Sequence, residues 1–173
     1  MRLADLNALD EDAAARALLR CCGSSRWARR MAAARPFADA ASIAATADAV
    51  WWALDPADWL EAFAAHPTIG AEADGTGGAA GSDWSRQEQA GVAGAGDETR
   101  RRLADANRDY EARFGYIFIV CAAGKTAAEM LSLLEGRLRH DAGEELRIAA
   151  QEQRHITRLR LTKLLEPERH TTP

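Results

Sequence analysis

The sequence predicts an all-α fold of about eight helices in a single domain. Three observations carry that expectation. Helix-capping residues, glycines and prolines recur at the ends of Ala/Leu-rich runs; apolar residues recur at helical spacing; and only one short run, at 116–123, is β-branched and aromatic enough to be extended. A chain of 173 residues with 47% hydrophobic and 28% charged residues is globular in composition and long enough to bury a core without a disulfide or a metal.

The elements follow in order. Asp10 caps a run that closes at Gly23, and Ser24 or Ser25 caps the next, which ends at Pro36. A third run covers about 40–54 with Ile43, Val50, Trp51 and Leu54. Asp55-Pro56 is an N-cap followed by a first-turn proline, and the short helix it opens stops at His66-Pro67. Residues 68–82 are Gly-rich and of low complexity, and are expected to form a mobile loop. Helices at about 83–92 and 97–114 come next, with Gly115 suited to the position after a helix end. Tyr116–Ala123 is expected to be a short buried extended segment. Thr126-Ala-Ala-Glu129 is a capping box opening a helix to about Arg139, and Asp141 caps a long final helix to about Leu165, before Pro167 and the 167–173 tail.

Composition excludes several classes of function. The net charge is −4, and the basic clusters at 26–30 and 100–102 sit in helix-like stretches beside acids or alanines, so a general nucleic-acid surface is not indicated. Three cysteines without C-x-x-C spacing fit a reducing compartment and form no zinc pattern. No apolar run approaches the roughly 20 residues that span a bilayer, no secretory signal is visible at the start, and His170-Thr171-Thr172-Pro173 is not a peroxisomal address. A cytoplasmic location is the expectation.

Few residues carry chemistry. His66 ends a helix and precedes Pro67, where it reads equally as a capping histidine or as an acid/base group. His140, His155 and His170 read as structural or solvated. In Ser85-Arg86-Gln87-Glu88-Gln89, helical spacing puts Ser85, Glu88 and Gln89 on one face, offering a hydroxyl, a carboxylate and an amide; an ordinary polar first turn is the alternative. In the final helix Leu146, Ala149, Gln153, Ile156 and Leu164 form one stripe with Arg160 in its middle, whereas Arg147, Arg154 and Arg158 fall on the opposite side. An inward arginine must be paired or face a polar cavity, so Arg160 belongs either to a buried salt bridge or to an anion site. Phe118, Ile119, Val120, Cys121 and Ala122 read as core, with backbone groups that a heterocycle could partner; Cys121 reads as filler. No metal-binding or nucleotide-binding motif is present.

Four motifs occur in order: Ala65-His66-Pro67-Thr68-Ile69-Gly70, Ser85-x-x-Glu88-Gln89-Ala90-Gly91, Arg113–Cys121, and Leu159-Arg160-Leu161. Together they resemble the 2-oxo-4-hydroxy-4-carboxy-5-ureidoimidazoline (OHCU) decarboxylases, with Arg35-Pro36-Phe37 and Gly124-Lys125-Thr126 as further landmarks, over about residues 5–166. The resemblance implies an all-α homodimer without metal or organic cofactor that makes (S)-allantoin in urate breakdown. It implies His66 as proton donor, Glu88 and Arg160 as further catalytic residues, and substrate contacts from Pro67, from Ser85, Arg86, Gln87 and Gln89, and from the backbone of Phe118–Ala122. Ile117 stands where that family commonly has proline. The competing readings are a decarboxylase of a related ureido heterocycle and a non-catalytic helical ligand-binding protein.

Overall fold

A computed structural model of the chain describes residues 1–69, 84, 87, 88, 90–92 and 95–166. Among these there are eight α-helices, one 3-10 turn and no strand. The helices are α1 (Leu3–Ala8), α2 (Glu11–Cys22), α3 (Ser25–Ala33), α4 (Ala40–Trp52), α5 (Pro56–Ala64), α6 (Asp97–Phe114), α7 (Ala127–Arg137) and α8 (Ala142–Leu165), with the 3-10 turn at Ala90–Val92.

The boundaries are chemical. Asp10 accepts from the Ala13 N–H, Ser24 rather than Ser25 accepts from Trp27, and Thr126 forms a reciprocal capping box with Glu129. The Asp141 carboxylate accepts from the Glu144 N–H at 2.8 Å. Gly23 and Gly115 end α2 and α6 at φ 85° and 79°, a region open to glycine and costly for other residues. Three helices end earlier than the sequence suggests, α3 at Ala33, α4 at Trp52 and α7 at Arg137. For α3 the cause is Pro36, which turns the preceding residue away from helical geometry, while the Arg35 side chain reaches the carbonyls of Ala32, Leu6 and Leu9. Helix α1 is an addition to the expected set, tied by Arg2 and Asp5. Of the expected 83–92 helix, Trp84, Gln87 and Glu88 are helical and Ala90–Val92 is 3-10; residues 83, 85, 86 and 89 lie outside the described residues. Most of the expected 68–82 loop and the 167–173 tail also lie outside them.

The backbone divides into two compact units, Met1–Trp59 with Arg154–Pro173, and Leu60–Gln153. In the first, Leu6, Leu18, Trp27, Met31, Ile43 and Trp51 are essentially fully buried. Burial of an indole N–H requires a partner, and Trp27 donates to the Ala47 carbonyl at 3.1 Å. In the second, Leu103, Tyr110, Phe118, Met130 and Leu134 form the core.

That second core encloses a charged network. Glu145, with no exposed surface, accepts from the Tyr110 hydroxyl, from Arg137 Nε at 2.7 Å and from the His140 ring at 2.8 Å. Arg137 also donates to the Ile119 carbonyl at 2.7 Å and lies over the Phe118 ring. His140 is therefore structural, as its sequence position suggested. Burial, followed by the Glu145 contact, pushes the Tyr110 phenol far above its ordinary range.

Candidate active site

Helix α5 ends at Ala64, and the chain turns through His66, whose N–H still reaches the Phe63 carbonyl at 3.1 Å. Pro67 then prevents continuation. The half-buried His66 ring meets Gln153 of α8, Nε2 to Oε1, at 2.7 Å. Gln153 has no exposed surface. Pro67 is exposed, and Ile69 is buried with its carbonyl held by Asn107 at 3.0 Å, so the stretch after the histidine starts from an anchored position.

The 118–122 strip, like Ile117 before it, is neither helix nor strand. Phe118, Ile119, Val120 and Ala122 are buried, while Cys121 is half-buried. Several backbone groups of the strip are held by protein side chains. Arg137 takes the Ile119 carbonyl, Glu152 accepts the Cys121 N–H at 2.7 Å, and Lys125 Nζ donates to the Cys121 carbonyl at 2.6 Å. The expectation that a ligand would partner this backbone thus narrows to the positions these side chains leave.

Glu88 is 8% exposed, an unusual depth for a carboxylate in the turn after a Gly-rich stretch. Its charge is close enough to the Cys121 thiol to oppose ionisation there. Burial is the main cause of that thiol's raised pKa, partly offset by the Ala123 N–H and Lys125, with Glu152 and Glu88 adding to the rise. Burial thus opposes ionisation of the half-buried Cys121 thiol. Gly91 explains how the Glu88 turn lies against this segment: a Cβ there would sit 2.0 Å from the Lys125 carbonyl oxygen.

Gln87 is exposed. Ser85, Arg86 and Gln89 lie outside the described residues. Arg160 belongs to the other compact unit and is 4% exposed, as the helical stripe required. Its charge favours the thiolate of Cys21, against the stronger effect of burial. Arg158 is on the outer side, paired with Asp48, but Arg154 is only partly exposed and shares that aspartate at 3.1 Å. Opposite-side spacing therefore overstated the exposure of Arg154. Among the described residues no group of three or more His, Cys, Asp or Glu side chains could hold a metal.

The second unit thus contains an imidazole hydrogen-bonded through Nε2 to a neutral amide, a buried carboxylate and a non-helical strip whose backbone is partly held by side chains. Such a set can move protons on a small polar heterocycle. Sequence reasoning passed over Gln153, Glu152, Arg137 and Glu145. Only Gln153 left a signal, a polar residue on an apolar stripe.

Residues 7–162 match the family described as OHCU decarboxylase. The chain belongs to the OHCU decarboxylase family. The uric acid degradation bifunctional protein TTL of Arabidopsis thaliana is 38% identical over 148 residues, covering 83% of this chain and 45% of that protein. The 2-oxo-4-hydroxy-4-carboxy-5-ureidoimidazoline decarboxylase of Haloferax volcanii is 28% identical, covering 97% and 98%. A crystal structure of OHCU decarboxylase in the presence of (S)-allantoin superposes with a TM-score of 0.76 at 36% identity, covering 91% of this chain and 99% of that one. This chain therefore spans less than half of the bifunctional Arabidopsis relative and nearly all of the Haloferax one.

Proposed function

We propose that this OHCU decarboxylase family member releases CO₂ from 2-oxo-4-hydroxy-4-carboxy-5-ureidoimidazoline to give (S)-allantoin. The observation that carries the reading is the buried Glu88 carboxylate near Cys121 of the strip, in the same compact unit as His66. Breaking the bond from ring carbon to carboxylate leaves an electron pair that moves into the adjacent C=N, whose nitrogen takes a proton. The resulting enol becomes the carbonyl as the neighbouring carbon is protonated on one face. The ring is its own electron sink, so the reading includes no metal and no organic cofactor.

His66 serves as proton donor and Glu88 handles the hydroxyl proton, a pairing of the kind that contributes about 10²–10⁴-fold. Arg160 holds the acidic substrate through charge-assisted hydrogen bonds. Pro67, Ser85, Arg86, Gln87, Gln89 and the 118–122 backbone complete the contacts. The family match over 7–162 supports reading both compact units as parts of one family domain. Family resemblance supports a homodimer, which light scattering would test. Cys21, Cys22 and Cys121, none of them in a disulfide, support a reducing, cytoplasmic setting.

The experiment is formation of optically active allantoin from freshly generated substrate, with and without chelator, by the wild type, His66→Asn and Glu88→Gln. Chelator-resistant wild-type activity lost in both variants, at unchanged melting temperature, is the expected result. No acceleration by the wild type, or full activity in either variant, overturns the assignment.

A further inference from the structure

Resting on the reading of His66 as the proton donor, we infer that Gln153 is its positioning residue. Gln153 fixes the imidazole through Nε2. The ring and the amide come from opposite ends of the second unit's sequence and meet at 2.7 Å, with Gln153 wholly buried. A polar side chain at that depth on a helix stripe of alanine, isoleucine and leucine is costly unless its hydrogen bonds are made.

The chemistry of the partner matters. A proton donor must cycle between imidazolium, in which both nitrogens donate, and neutral imidazole, in which one does. The amide oxygen accepts from Nε2–H in both states, so the ring keeps its orientation as it loses and regains its proton. A carboxylate in that place would favour the charged form, and an N–H donor would exclude it. The neutral amide orients the ring without committing its charge.

The neighbouring residue strengthens the inference. Glu152 accepts the Cys121 N–H at 2.7 Å, so consecutive residues of α8 hold the imidazole and the 118–122 strip. Adjacent side chains on a helix diverge by about 100°, which lets one turn of α8 set two groups apart at a fixed spacing. A donor and its acceptor site must be held to within a fraction of an ångström for proton transfer.

Gln153→Met keeps the length and flexibility of the side chain and removes the acceptor. It is expected to lower kcat about 10–100-fold with KM within about twofold, the pattern of a lost transition-state interaction rather than lost binding. Gln153→Glu, which retains an acceptor but favours the charged ring, is expected to keep the ring oriented and to move the alkaline limb of the kcat profile to higher pH. In the wild type, ¹⁵N shifts of the His66 ring should show the Nε2–H tautomer when neutral, a readout that needs neither turnover nor a folded variant. Wild-type kcat in Gln153→Met, or an Nδ1–H tautomer in the native protein, overturns the positioning role. Full activity of His66→Asn would instead overturn the proposed function on which it rests.

Discussion

Arg160 has 4% of its surface exposed on a helix whose neighbouring arginines, Arg147 and Arg158, are exposed. Keeping a guanidinium inside a protein is costly, and only a planar fork matched to an anion or to fixed acceptors compensates well. If Arg160 serves the acidic substrate, Arg160→Lys retains the charge but not the fork. It is expected to lose activity by about 10²-fold or more, the equivalent of roughly 3 kcal/mol of transition-state binding. Arg158→Lys is the matched control. Arg158 contacts Asp48 from an exposed position, so its substitution should cost under about 1 kcal/mol of stability and leave kcat unchanged. Kinetics and thermal melts of both variants decide the point, and a damaging Arg158→Lys with a benign Arg160→Lys would refute it. Arg160 was legible in the sequence because one helix's periodicity suffices to turn it inward. Gln153 sat on the same stripe, but its partner is 87 residues away, and no spacing within a helix encodes that meeting.

At the scale of elements, local spacing wrote the ends of the helices into the sequence. Asp10, Thr126, Asp141, Gly23 and Gly115 each act on groups within four residues. What was not legible is how non-helical segments meet, because those contacts join groups far apart along the chain. The 3-10 turn Ala90–Val92 against the segment before α7 is the clearest case. Gly91 permits it, since a methyl group would stand 2.0 Å from the Lys125 carbonyl oxygen, a backbone atom that cannot swing aside. Gly91→Ala is expected to destabilise the protein by about 1–3 kcal/mol, as overpacking does. It should also lower activity, because Glu88 lies three residues before the glycine and Cys121 four before the lysine. Gly136 is the contrasting position, inside α7 with only the end of the Arg139 side chain nearby, 3.8 Å from a Cβ. There Gly136→Ala should raise stability by about 0.5–1 kcal/mol. Urea denaturation of the two variants checks both signs, and a neutral Gly91→Ala would mean that the two segments do not approach as described.

Over the whole molecule, the two compact units carry separate alkaline liabilities. Cys21, fully buried in the first unit, has its thiol pushed from 9.0 up to about 12, chiefly by burial and then by Cys22, with Arg160 and Arg20 opposing. Tyr110 in the second unit is raised by burial and by Glu145, with Arg137 opposing. In both cases the folded state keeps a proton that the unfolded chain gives up. Above the unfolded pKa the folded form therefore binds more protons, and stability falls as pH rises. For Cys21 the window opens near pH 9 and closes near 12, and within it each pH unit costs up to about 1.4 kcal/mol. Below the window the thiol contributes no pH dependence. The chain's own chromophores are unevenly divided: four of the five tryptophans, Trp27, Trp51, Trp52 and Trp59, lie in the first unit, and Trp84 with both tyrosines, Tyr110 and Tyr116, in the second. Cys21→Ala removes one titration and leaves a small cavity, so its stability should be lower at neutral pH yet fall less steeply above pH 9. Urea unfolding followed by tryptophan fluorescence on both sides of that pH measures the slope. Tyrosinate absorbance should lag an ordinary phenol titration until the second unit unfolds. An unchanged slope in Cys21→Ala would mean that the buried thiol does not set the first unit's alkaline limit.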